Sequence, residues 1–131
     1  MSKWNTPANC RYLRSDEWVR IEGDEAVIGI TDYAQDALSD IVFVELPKVG
    51  AVLAAGARFG TVESVKAASD MNMPISGTVI AVNNALEEAP EKINQSPFDE
   101  AWMIRIKPSN LAELESLMTA DEYAAYCDSR G

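Results

Sequence analysis

The chain has 131 residues, 47% hydrophobic and 24% charged, which suffices for one packed domain of ordinary size and is too short for two. Lysine and arginine total 11 against 21 acidic residues, and the resulting charge of −10 repels nucleic-acid phosphates and anionic lipid while favouring basic protein surfaces. With no histidine and 2 cysteines, the sequence excludes Ser-His-Asp and Cys-His catalysis, HExxH zinc sites and four-cysteine zinc, so no metal is expected and any chemistry must come from carboxylates, lysine or a borrowed group.

No apolar run approaches the roughly 18 residues needed to cross a bilayer, and the start "MSKWNTPANC" lacks the basic-then-apolar form of a secretory signal, so a cytoplasmic location is expected. Cys10 and Cys127 form no CxxC pair and are expected as reduced thiols. In chain order, "EWVRIE" alternates apolar and polar side chains, Gly23-Asp24 supplies a turn and "AVIGIT" continues, which predicts a β-hairpin. Asp32, followed three residues later by Gln35, predicts a capped short helix over 33–38. "IVFVEL" predicts a strand that stops at Pro47, and residues 47–60 have the Pro and Gly punctuation of a loop-rich crossing.

"GTVESV" and "GTVIAV" both read as strands, separated by a segment with Met73-Pro74 and Ser76-Gly77 turn signals that must reverse the chain or carry it between sheets. Residues 83–100 are polar and turn-rich, and "AWMIRI" alternates as a late strand. Asn110 with Glu113 and Thr119 with Glu122 match capping boxes, and Leu111, Leu114, Leu117 and Met118 share a helical face. The reading is a single mainly β domain over 1–131: a sandwich or barrel core over about 17–107 with short helices over about 110–128.

Lys66 stands at the start of the reversal after "GTVESV", bracketed in sequence by Gly60 and Gly77, whose backbones need close approach or positive φ. By composition alone it is a solvated lysine. On a stiff hairpin, however, a protruding amine can be acylated and become the tether of a carried group such as biotin or lipoate. Glu17, Glu63 and Asp70 are conceivable acid–base groups, but no nucleophile or metal accompanies them.

"ESVKAASD" followed by "PISGTVIAVN" closely resembles the lipoylation segment of the glycine cleavage system H protein family, and "GITDYAQDALSDIVFVELPKVG" resembles that family's second signature. The likeness runs from "SDEWV" to the helical tail. It implies a lipoyl-domain-like barrel-sandwich hybrid of two antiparallel sheets, with lipoate in amide linkage to Lys66. Glu63, Ser64, Val65, Ala67, Asp70 and Gly77 would form the lipoylation context, and Ser15, Glu17 and Asp70 a cleft that shelters the loaded arm.

It further implies a non-catalytic monomer that carries the aminomethyl group from glycine decarboxylase (P protein) to the aminomethyltransferase (T protein). The same arm would pass electrons to dihydrolipoamide dehydrogenase (L protein), and lipoate-attaching enzymes would load it. Two departures stand out: Ser15-Asp16 where many members have Ser-His or Glu-His, and Met-Asn-Met after Asp70. Biotin carriers usually flank their lysine with Met, whereas Val65 and Ala67 stand here; dehydrogenase lipoyl domains usually read Asp-Lys-Ala; a lipoyl-relay protein would share the scaffold.

Overall fold

The computed structural model describes residues 3–130. The chain runs through β1 (Arg11–Tyr12), β2 (Glu17–Glu22), β3 (Glu25–Ile30), α1 (Asp32–Leu38), β4 (Ile41–Glu45), β5 (Val52–Leu53), β6 (Arg58–Ser64), β7 (Ala68–Asn72) and β8 (Gly77–Val82). It continues through α2 (Ala85–Glu88), α3 (Lys92–Gln95), β9 (Ile104–Pro108), a 3-10 turn over Leu111–Ser116, and α4 (Ala120–Arg130). Six strands form one antiparallel sheet in the order β1-β2-β3-β9-β8-β5; the other three form a second in the order β4-β6-β7.

The β2–β3 hairpin pairs in unbroken register from Glu17↔Ile30 to Glu22↔Glu25. Every residue from Ala26 to Ile30 is buried, more than a strand with one wet face allows, because both faces are covered. Ala26, Ile28 and Ile30 join a core that includes Val44, Val62 and Met71 of the other sheet. Val27 and Trp18 point the opposite way, into a second cluster with Tyr12, Phe98, Tyr123 and Cys127. Tyr123 and Cys127 come from α4, and Tyr12 stacks on Tyr123 with ring centroids 4.5 Å apart, so the carboxyl-terminal helix roofs the outer face of the larger sheet. A fully buried side chain of this kind stabilises by roughly 1.5–3 kcal/mol. Cys10 and Cys127 are both free and buried, as reduced thiols should be.

Gly60 and Gly77 are required by close approach. A Cβ on Gly60 would collide with the Glu45 carbonyl oxygen, and one on Gly77 would lie 2.6 Å from the Lys107 carbonyl oxygen. Gly60 belongs to β6, but Gly77 begins β8 in the other sheet, so the two bracket the lysine in sequence and not in one hairpin.

The structure corrects several local expectations. Residues 68–72 form β7, paired in register with β6 (Val62↔Ser69, Thr61↔Asp70), so Asp70 is a strand residue and not a turn former. "GTVESV" and "GTVIAV" lie in different sheets, the crossing alternative of the two considered. The loop-rich stretch 47–60 contains β5 and the start of β6, and residues 83–100 contain two single-turn helices that bury Leu86 and Ile93. The cap of α1 is Thr31, whose Oγ accepts from the Ala34 N–H, while Asp32 is the first helical residue and accepts from Gln35 Nε2. Thr119 and Glu122 do form a capping box, each backbone N–H donating to the other's side chain. Glu113 does not cap at Asn110: its carboxylate accepts from Ser76 N–H and Ser76 Oγ, tying the tail to the loop before β8. Leu117 is buried, but Leu111 is exposed, because a 3-10 turn does not keep the four apolar residues on one face.

Candidate functional site

Lys66 occupies the three-residue turn between β6 and β7, with its side chain in solvent. Three residues must reverse the chain, which would leave their N–H groups without ladder partners. Ser64 supplies them: its Oγ accepts from Lys66 N–H at 3.2 Å and Ala67 N–H at 3.1 Å and donates to the Ala67 carbonyl at 3.1 Å. Val65 N–H donates to the Asp40 carbonyl, anchoring the turn to the start of β4. The lysine ammonium reaches back to the Ala37 carbonyl at 3.1 Å, in the last turn of α1, where the helix's free carbonyls favour a cation.

Ala37 lines a cleft of about 160 Å³ between α1, the start of β2, β6 and β7. Its apolar wall is Ile30, Ala34, Leu38, Val62 and Met71; its polar side is Ser15, Asp16, Glu17, Ser69 and Asp70. Glu17 is 1% exposed. Its carboxyl accepts from Ser15 Oγ at 2.6 Å and from Asn72 N–H at 2.7 Å. Burial raises its pKa to about 7, against the lowering influence of those hydrogen bonds. Asp70, at the cleft's outer edge, pairs with Arg58 in a solvent-exposed contact of 3.3 Å.

The rim opposite β7 is held by the carboxyl-terminal helix. Asp16, at φ +80°, takes a two-pronged contact from Arg130 at 2.6 and 3.1 Å and a hydrogen bond from Tyr123 OH at 2.7 Å. Tyr123 OH also meets Thr31 Oγ at 2.6 Å, the hydroxyl that caps α1. The Arg130 guanidinium lies over Tyr33 at 3.9 Å and Tyr126 at 4.0 Å. The cleft's two walls, α1 and the β2 entry, are thus clamped to one helix by hydrogen bonds that span 92 to 114 residues of the chain.

Ser15, Glu17 and Asp70 therefore come together in one cleft, beside Lys66 at the turn. Glu63, Val65 and Ala67 surround the lysine outside the cleft lining, and Gly77 is remote in β8. Glu63 does not converge with Glu17 and Asp70, which removes the geometry an acid–base triad would need. Sequence reading missed the apolar wall and the Asp16–Arg130–Tyr123 clamp. The departure at position 16 was the one signal of the clamp; its partner, 114 residues away, had none. Among the described residues no group of His, Cys, Asp or Glu is arranged to hold a metal ion, and no helix is long and apolar enough to cross a membrane.

Comparison with known proteins gives one consistent result. The family model described as "Glycine cleavage H-protein" matches residues 10–130. The glycine cleavage system H protein of Geobacillus kaustophilus is 57% identical over 121 residues, 92% of this chain and 95% of that one. A mitochondrial glycine cleavage system H protein of Flaveria trinervia is 53% identical over 121 residues, 92% of this chain and 73% of that one. Among solved structures, a glycine cleavage system H protein from Mycobacterium marinum superimposes with a TM-score of 0.83 at 38% identity, covering 91% of this chain and 96% of that one.

Proposed function

The chain belongs to the glycine cleavage H-protein family, and on that footing we propose that it is a lipoyl-bearing shuttle whose attachment point is Lys66. The observation that carries this reading is the position of the amine: exposed at a stapled hairpin tip, yet 3.1 Å from a carbonyl of the cleft wall. The same side chain can therefore stand out toward an enzyme or lie back toward shelter. In this reading the protein receives the aminomethyl group from glycine decarboxylase, presents it to the aminomethyltransferase, and passes electrons to dihydrolipoamide dehydrogenase, without catalysing a step itself. The residues act as a single carrier domain, supported by the core that both sheets share.

The cleft suits the group. A lipoyl amide combines an apolar chain with a polar end, and the lining divides in the same way, with Ile30, Leu38, Val62 and Met71 against Ser15, Glu17 and Asp70. Lipoate supplies a strained disulfide that takes up two electrons and leaves a sulfur able to hold a one-carbon unit. The protein's own residues supply position and charge. Glu17, half protonated near pH 7, would become anionic beside a cationic amine, so it would supply a carboxylate to such a group and release a proton. The apolar wall would keep water from a carried group. Asp70, exposed and already balanced by Arg58, adds negative potential at the mouth and little else.

The test is intact-mass measurement after incubation with lipoate, ATP and a lipoate–protein ligase, followed by peptide mapping. One lipoyl increment located on the peptide containing Lys66 is expected, with glycine-dependent activity on addition of glycine decarboxylase. An increment elsewhere, or none, would overturn the assignment.

A further inference from the structure

The cleft wall α1 is followed by a link of two residues, Ser39 and Asp40, before β4 begins at Ile41. None of the seven residues of α1 is buried, and Ala34 and Leu38 pack only partly on the core, so polar ties at its two ends set where the helix stands. Thr31 and Tyr123 hold the amino end; Asn94 of α3 holds the other. Its Nδ2 donates to the Ser39 carbonyl at 2.8 Å and to Gln35 Oε1 at 3.0 Å, and its Oδ1 accepts from Ile41 N–H at 2.9 Å. Two acceptors facing the nitrogen and one donor facing the oxygen fix the orientation of the amide. Both neighbours of Asp40 are therefore held by one side chain, and the Asp40 carbonyl accepts from Val65 N–H at 3.1 Å, beside Lys66. Ser39 stands at φ +68°, a left-handed conformation that is costly for a residue with a Cβ, and the bond to its carbonyl helps to keep it there. Asn94 is itself firmly mounted, because its neighbour Ile93 is fully buried in the core that includes Val62 and Met71 of the cleft.

We propose that Asn94 is a positioning residue for the carried arm, fixing the angle between the lysine turn and the wall against which the arm lies back. The inference rests on the lipoyl reading above and adds what aligns the tether with its shelter. Asn94 does not line the cleft; it acts through Ser39, Gln35 and the two ends of the link. Leverage makes that link decisive. A rotation of about 10° there would move the end of a chain about 12 Å long by about 2 Å, more than a fixed seat tolerates. The lysine turn keeps its own form without the amide, because Ser64 satisfies the Lys66 and Ala67 N–H groups. Ser39 is exposed, so water can take the place of the lost donor at its carbonyl and the link loosens without unfolding. Loss of the amide thus leaves an amine that can still be loaded and an arm that no longer reseats.

The experiment compares Asn94→Ala with the control Ile93→Val, which loosens the same helix from inside the core and leaves the three contacts of the amide in place. In the unmodified proteins, hydrogen exchange at the Ile41 and Val65 amides is expected to quicken in Asn94→Ala and not in Ile93→Val. In the lipoylated proteins, loaded from glycine by glycine decarboxylase, release of the one-carbon unit as formaldehyde is expected to quicken about tenfold in Asn94→Ala alone. The rate of lipoate attachment is expected to stay within about twofold of wild type in both. Asn94→Asp keeps the acceptor for Ile41 N–H and loses both donors to α1, so it carries the test should Asn94→Ala prove unstable by thermal melting; it is expected to release its cargo as fast, with Ile41 still protected. Release at the wild-type rate in both Asn94 variants would overturn the proposal. Equal quickening in Ile93→Val, or a loss of attachment as large as the loss of shelter, would reduce Asn94 to a general fold residue and overturn it too. A wild-type chain that gains no lipoyl increment would instead defeat the lipoyl reading itself, and this inference with it.

Discussion

The tip of the lysine hairpin and the rim of the cleft meet at Ala37, yet they are built in opposite ways. At the tip, one serine hydroxyl and the Asp40 carbonyl satisfy a three-residue turn whose side chains face solvent, and the lysine is free to leave its carbonyl partner. At the rim, a carboxylate in a left-handed backbone conformation is fixed by a phenol and by a guanidinium that itself lies over two aromatic faces, and the floor beneath it holds a buried carboxyl. Presentation needs access, and water satisfies most of the polar groups there without charge. Shelter needs a fixed shape and a dry interior, and a dry interior makes each polar group costly unless another residue answers it. A carrier requires both regions within one side chain's reach.

The contrast is broken most directly by Lys66→Arg, which keeps the charge and the turn but presents a guanidinium that is not acylated. Complete loss of the lipoyl mass increment, and of glycine-dependent activity, is expected with an unchanged melting temperature.

Glu17→Gln probes the floor. A carboxyl raised from 4.5 to about 7 by folding favours the native state most at low pH, and that advantage is lost as pH climbs through the folded value. Glutamine can accept from Asn72 N–H through its oxygen and donate its NH2 to Ser15 Oγ, holding both partners without the charge. The variant is therefore expected to match the wild type below about pH 4.5 and to exceed it by up to roughly 3 kcal/mol above pH 7. Denaturant titrations at pH 4 and pH 8 check this; a pH-independent difference would remove the buried ionisation. In the same variant the loaded arm should be hydrolysed faster, because no carboxylate meets the amine.

Arg130→Met tests the rim. Asp16 would keep its half-buried charge and lose its two-pronged partner, at a cost of about 2 kcal/mol, below that of a fully buried pair because both side chains retain some water. Melting temperature should fall while the rate of lipoate attachment does not, which would separate the two regions functionally. A parallel fall in attachment rate would show that they are coupled through α1. Ser64→Ala, at the tip, is expected to cost less, about 1 kcal/mol, and to raise the hydrogen-exchange rates of the Lys66 and Ala67 amides without altering the cleft.

Much of this was legible along the chain, and the reasons are local. Alternation gave the β2–β3 hairpin, Gly-Thr-Val gave β6 and β8, and the motif around Lys66 gave the proposed attachment point, because a turn with its flanking strands is contiguous. β7 was hidden, since "ASDMN" lacks β-branched residues and is held as a strand by its register with β6. The Asn110–Glu113 pairing failed because Glu113 found a better-placed donor in Ser76. Propensity cannot anticipate a partner brought in by the fold.

The sequence by itself determined where strands begin, which lysine stands between them and that no histidine chemistry is available, because each of these depends on neighbours within a few residues. Only the tertiary structure decided that Ser15, Glu17 and Asp70 share a cleft with Ile30 and Leu38, that burial more than the neighbouring Asp16 charge shifts Glu17, and that Arg130 closes the rim on Asp16. Those are properties of packing, in which distance through space, dielectric and access to water are set by segments far apart in the chain.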